Sequence, residues 1–244
     1  MAAQADRPAF RPALAPVHVA LACALGFGLP LLAGIMVEAS PRAPPPGSWI
    51  WLYEQHGLQA LLALAAIGAL RTVLPTDFGL HWPRGRSYVG LGAVGGLAFG
   101  AVSCLALLMI TGKPPALGFA PTPANMAGWL SFETLYVGPT EEVLFRALLV
   151  TWLAAALLAK LRLGRVDLSI GGVVAALIFA LSHRGYGNAP VALALAQQAY
   201  AFGLGLLYAF CFEKSGSLLA PIVAHNLSDG VVTIVALGAF LLAH

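Results

Sequence analysis

The sequence predicts an all-α fold, a polytopic transmembrane helix bundle of about seven spans, with eight as the alternative count. Three observations predict it. Of 244 residues, 59% are hydrophobic and only 9% are charged, where soluble domains carry about 25% charged residues. The apolar residues come in runs of roughly the ~20 residues that a helix needs to cross a bilayer, divided by proline-rich or basic loops. The few charges inside those runs sit at helical spacings that let them pair.

Residues 1–16 read as a disordered N-terminal arm with Arg7 and Arg11, and residues 17–244 as a single membrane-embedded domain. Val17 to Val37 is the first span. It is too long for the apolar region of a signal peptide, and no small-residue cleavage site follows it. After the Pro-rich stretch Glu38 to Gly47, Trp49 to Leu70 forms the second span, with Glu54, Gln55 and His56 near its outer end. Tyr88 to Thr111 is the third. Ala124 to Lys160 exceeds one straight crossing and opens the motif-bearing core, 124–244. Gly138-Pro139 is expected to kink or break it, because proline lacks the backbone donor and clashes with the preceding turn. Leu168 to His183, Val191 to Phe212 and Leu218 to Leu242 complete the bundle.

Basic residues orient it. With the N-terminus inside, Arg7, Arg11, Arg71, Arg84, Arg86, Lys160, Arg162, Arg165 and Lys214 face the cytoplasm. Only Arg42, Lys113 and Arg184 face outward. Splitting 124–160 into two crossings would erase this bias, so it is read as one bent crossing. Composition suggests a bacterium of high GC content, hence a bacterial cytoplasmic (inner) membrane. The net charge of +3 is too small and too dispersed for nucleic acid. Cys23, Cys104 and Cys211 stand singly in apolar runs, as small buried hydrophobes do.

The chain is organised around Gly138-Pro139-Thr140-Glu141-Glu142-Val143-Leu144-Phe145-Arg146. An isolated charge at membrane depth costs roughly 2.5 to 3.5 kcal/mol on insertion scales. Glu142 and Arg146 are four apart and can form an ion pair. Glu141 points about 100° away, without a local partner, and is the candidate for chemistry. Glu133 is read as structural, as is His56, a satisfied interior histidine. His183 ends the fifth span. His225 and Asp229 share a face of the last, where Asp229 can orient the imidazole. A carboxylate beside an imidazole can take a proton from water, and a second imidazole can donate to an oxyanion. Helical rise puts His225 ~12 Å and Glu141 ~28 Å from the inner ends of their spans, so convergence needs tilt or stagger.

These residues carry a resemblance. Glu141-Glu142 with Arg146 resembles the EExxxR motif of the CAAX prenyl-protease and bacteriocin-processing family of intramembrane proteases. Phe179 with His183 resembles its FxxxH motif, and His225 with Asp229 its third, HxxxN or HxxxD. The resemblance implies a glutamate-type endopeptidase with Glu141 as general base beside His183, and with His225 and Asp229 at the oxyanion. Glu142 and Arg146 are the supporting pair. Asp229 stands where eukaryotic prenyl-protein members carry Asn. An ionised Asp cannot donate to an oxyanion, so Asp229 is either protonated through burial or positions His225. No cofactor is expected, although two histidines and a carboxylate could bind zinc. The implied partner is a membrane-associated protein or peptide: a lipid-modified tail, a bacteriocin leader, or a sorting tail as in the myxosortase branch.

Two readings from other classes compete. A transporter or channel could use the same charges as an ion path, but no repeat relates the two halves. A non-catalytic scaffold or immunity protein would not need the full motif set. The GxSG, GxGD and HExxH signatures of other intramembrane proteases are absent.

Overall fold

The computed structural model describes residues 14–164, 166–183 and 191–243. Arg7, Arg11, Arg165 and Arg184 of the charge count, and most of the N-terminal arm, lie outside the described residues. Among the described residues the chain forms seven helical segments and one small hairpin. The helices are α1 (Ala15–Glu38), α2 (Trp49–Leu70), α3 (Val89–Thr111), α4 (123–157), α5 (Ile170–Ser182), α6 (Val191–Ser215) and α7 (Leu219–Ala243). The hairpin pairs β1 (Lys160–Leu163) with β2 (Val166–Ser169). Its alternation of polar and apolar residues across Lys160 to Ser169 is the period-two pattern of a strand pair. No strand was expected there. Leu158, in the left-handed region at φ 54°, stops α4 and starts it.

Four helices, α1, α3, α6 and α7, are long and apolar enough to cross a membrane by length and composition. The protein is an integral membrane protein built as an all-α bundle. Many of its apolar side chains face outward: Leu31, Leu61, Val94, Leu105 and Leu195 are all exposed. Meanwhile Gln55, Gln59, Glu141, Glu142, Arg146 and His225 are buried. Inside-out polarity of this kind follows from a solvent as apolar as leucine, which leaves the interior as the place for polar groups.

Small residues set how closely the helices approach. Gly92, Gly96 and Gly100, four apart, are the buried residues of α3. Cβ atoms there would meet the carbonyls of Ala220, Ala224 and Ser228 on α7. The stripe lets the two backbones touch, the close-packing device of membrane helices, and it fixes the height of α7.

Of the kink or break expected at Gly138-Pro139, the break does not occur. Helix α4 runs through it, with a regular turn at Val137–Glu142 between two π-helical stretches, Phe132–Tyr136 and Val143–Val150. Wider π turns absorb the register mismatch that a proline imposes, without ending the helix. The segment is one continuous helix.

Candidate active site

Consecutive residues on a helix point about 100° apart, and Glu141 and Glu142 accordingly face different neighbours. Glu142 turns into the bundle. Its Oε2 lies 3.1 Å from Arg146 Nε, with side chains 0% and 1% exposed, so the predicted ion pair is present. The guanidinium also donates from Nη2 to the Gly205 carbonyl at 3.4 Å. It lies between two rings, 4.4 Å from Phe179 and 4.8 Å from Tyr208. Cation–π contact of this kind is strongest when desolvated. The phenylalanine of the Phe179–His183 motif is therefore a wall for Arg146 as well as a helix position.

The other oxygen of Glu142 has a partner that sequence spacing did not suggest. Its Oε1 lies 2.7 Å from His225 Nδ1. His225 Nε2 lies 3.2 Å from Asp229 Oδ2, the expected i, i+4 contact. Both ring nitrogens thus face carboxylates, and carboxylates only accept. Either His225 donates through both as an imidazolium or one of the acids holds the proton. The ring stacks on Tyr208, 5.1 Å between centroids and 19° between planes. The Tyr208 hydroxyl lies 2.9 Å from Ser228 Oγ, which locks that platform to the same helix.

Glu141 turns toward α2 and is not without partners. Its Oε1 lies 3.1 Å from His56 Nε2. The sequence reading had set His56 aside as a satisfied interior group near the outer end of α2. The structure brings it to the central carboxylate. The available signal was the run of polar residues Glu54, Gln55, His56 and Gln59 on one span. Glu141 Oε2 is buried and accepts no hydrogen bond from the described residues. It lies 3.8 Å from His183 Nε2 and 3.9 Å from His225 Nε2. His183 Nδ1 donates to the Phe179 carbonyl at 2.7 Å, so in the neutral ring Nε2 is bare and faces Glu141.

The predicted residues from three spans therefore do converge, and stagger is the reason. Past Glu141, α4 continues to residue 157, whereas α7 begins at Leu219, six residues before His225. Asn226, which the sequence reading passed over, pins the two together: its Oδ1 accepts from the Gly138 amide at 2.9 Å. Gly138 is needed there, since a Cβ would collide with that same oxygen. Glu133, eight residues before Glu141, is within electrostatic reach of Asp229, His225 and Glu141. The exposed edge of the cluster is at His183 and Asp229, whose side chains are 31% and 28% exposed. A wide groove of about 550 Å³ between α1, α2 and α4, with Tyr53 and Tyr136 on its wall, lies beside the site and holds none of these groups.

A model of the family described as type II CAAX prenyl endopeptidase Rce1-like matches residues 123–231. Over these residues the chain is similar to the Rce1-like family. All three motifs lie inside the match, and helices α1 to α3, with His56, lie outside it. The family carries the general activity: an intramembrane CAAX-type endopeptidase, a peptide hydrolase acting on a membrane-associated protein in the bilayer. No curated protein and no solved structure matches the chain. Among the described residues, no three His, Cys, Asp or Glu side chains are grouped to hold a metal ion.

Proposed function

We propose that this Rce1-like protein cleaves a C-terminal tail of a membrane-associated protein with a water activated by Glu141 and His183, without a resident metal. One observation carries this reading: a buried carboxylate oxygen, Glu141 Oε2, faces two imidazole nitrogens at 3.8 and 3.9 Å and accepts no hydrogen bond from the described residues. A water of ~2.8 Å hydrogen-bond reach fits between Oε2 and the bare His183 Nε2, donating to both. As it attacks the scissile carbonyl, its oxygen bonds to carbon and its proton passes to Glu141. His225 Nε2–H, shared with Asp229, turns to the oxyanion that forms. When the C–N bond breaks, Glu141 returns the proton to the leaving amine, giving a carboxylic acid, which keeps the other proton of the water, and an amine. Asp229 then acts as the acceptor that aims His225.

The substrate class tested first is a prenylated tail, the one the family's description names; in a bacterium, where protein prenylation is generally absent, a bacteriocin leader or a sorting tail carries more weight. The N-terminus is assigned to the cytoplasmic face of a bacterial inner membrane, on the distribution of basic residues. The test is purified protein in lipid nanodiscs with an internally quenched peptide ending in a prenylated Cys-aliphatic-aliphatic-X tail. Cleavage, located by mass spectrometry, is expected to persist after exhaustive chelation. Activity that vanishes on chelation and returns with zinc would overturn the metal-free reading. Equal cleavage of the unprenylated peptide would remove the prenyl group from the specificity.

A further inference from the structure

His56 stands on α2, outside the residues matched to the family, and the reaction just described does not use it. Phe132 presses on the edge of its ring, 4.9 Å between centroids and 83° between planes. Both nitrogens are committed. Nδ1 lies 3.0 Å from the Leu52 carbonyl oxygen one turn back. A carbonyl only accepts, so Nδ1 carries a proton, and a neutral ring has no other. Yet Nε2 lies 3.1 Å from Glu141 Oε1, a hydrogen-bond distance that two facing lone pairs would not hold. The contact therefore contains a proton. It sits on His56, beside a carboxylate, or on Glu141, beside a neutral ring. Only the first arrangement leaves Glu141 able to act as a base.

We infer that His56 is the positioning residue for Glu141: as an imidazolium it donates from Nε2 to Oε1 and so turns Oε2 toward His183 and His225. The inference rests on the reading of Glu141 as the base. A carboxylate swivels about the bond to its own side chain, so fixing one oxygen fixes the other. With Oε1 held on α2, the free oxygen points between α5 and α7. The same cation offsets the charge of Glu141 in a bundle that already buries Glu142 and places Asp229 and Glu133 near it. Helix α2 is thus part of the reaction centre, although no family motif lies on it.

The simpler account is a histidine satisfied by Leu52 alone. The two accounts depend on different nitrogens, which separates them. A glutamine amide reaches about as far as Nε2 and can donate to Glu141, whereas asparagine reaches only as far as Nδ1. With the prenylated quenched peptide, His56→Gln should keep kcat within ~10-fold of wild type. His56→Asn and His56→Leu should lose ~100-fold in kcat, with KM unchanged, as expected for a misplaced reacting group. Rescue by Asn and not by Gln, or full turnover in all three, overturns the inference. Glu141→Gln run alongside separates the failures. If it is active, the base assignment has failed; if it is inert while His56→Leu is normal, only the inference has.

A second arm needs no turnover. Nitrogen-15 NMR of histidine-labelled protein should show a ring protonated on both nitrogens that disappears in His56→Gln. In Glu141→Gln that ring should become neutral, with a bare Nε2. A His56 ring with a bare Nε2 in the wild-type protein would defeat the proposal.

Discussion

Two regions of the site sit on neighbouring residues of one helix and are built for opposite purposes. Around Glu142 the charged groups are in contact. The carboxylate meets Arg146 and His225 Nδ1 at 3.1 and 2.7 Å, and the guanidinium is held between Phe179 and Tyr208. Around Glu141 the packing is incomplete. One oxygen is held by His56, the other accepts no hydrogen bond from the described residues, and the imidazoles facing it stand nearly 4 Å away. Burial alone does not separate the two, since both acids are buried. What differs is how close the opposite group stands: Arg146 Nε is 3.1 Å from Glu142 Oε2, whereas the imidazole nitrogens facing Glu141 Oε2 are 3.8 and 3.9 Å away. A buried ion pair in contact fixes a structure, whereas a gap beside a buried carboxylate oxygen is where a reactant can bind. His225 belongs to both regions, one nitrogen in each.

The comparison breaks most visibly in the paired glutamine variants. Glu141→Gln should lower turnover on the order of 10⁴-fold, the upper range for loss of a general base, with an unchanged unfolding midpoint in detergent. Glu142→Gln should do the reverse. It strands Arg146, and removing one partner of a buried pair costs roughly 3–5 kcal/mol, read as lost yield and a lower midpoint. An active, well-expressed Glu141→Gln protein would end the distinction.

Variants of the shared helix α7 should have a smaller effect. His225→Ala should cost on the order of 100- to 1000-fold, as loss of an oxyanion donor does. Asp229→Asn should cost less, about 10-fold, because its amide oxygen still accepts from Nε2–H. If Asp229→Asn matches His225→Ala, Asp229 has a larger role than aiming the ring. If both retain full turnover, α7 is outside the reaction.

The smallest effect sharpens the contrast with an exposed pair of the same spacing. In the loop between α2 and α3, His81 donates to Asp77 Oδ2 at 2.7 Å. The Trp82 carbonyl, then Asp77, hold the His81 imidazole above its ordinary value. The loop grips the α6–α7 turn through Ser217 Oγ, which donates to the His81 carbonyl at 2.6 Å. A raised histidine stabilises fully below its unfolded value of 6.5, and that contribution is lost as pH rises through the folded value. Hydrogen exchange across residues 77–82 should therefore accelerate modestly above neutral pH, beyond its intrinsic rise. The effect should disappear in His81→Gln.

Much of the site was legible because much of it is local. The pairs Glu142–Arg146 and His225–Asp229 follow from four-residue spacing on a helix, and the structure has them at 3.1 and 3.2 Å. The helical segments follow from apolar runs of membrane length, with ends displaced by a few residues at most. The proline misled, because whether it breaks a helix depends on whether neighbouring turns can widen. The hairpin was missed although its alternation was on view, because a short strand pair between basic residues reads equally well as a loop.

What the sequence by itself determined is the set of groups that each helix carries and the face on which it carries them. Rise and rotation per residue are fixed by the backbone. Tertiary structure alone decided which faces meet, and at what height. The contact of His56 with Glu141, and that of His225 with Glu142, span 85 and 83 residues, and no periodicity relates their partners. The second exists because glycines on α3 seat α7 at one level and Asn226 ties α7 to Gly138, and the first because α2 lies close on α4, where a Cβ on Gly57 would meet the Tyr136 hydroxyl. Stagger between helices is a property of their packed surfaces, and a single helix does not encode it.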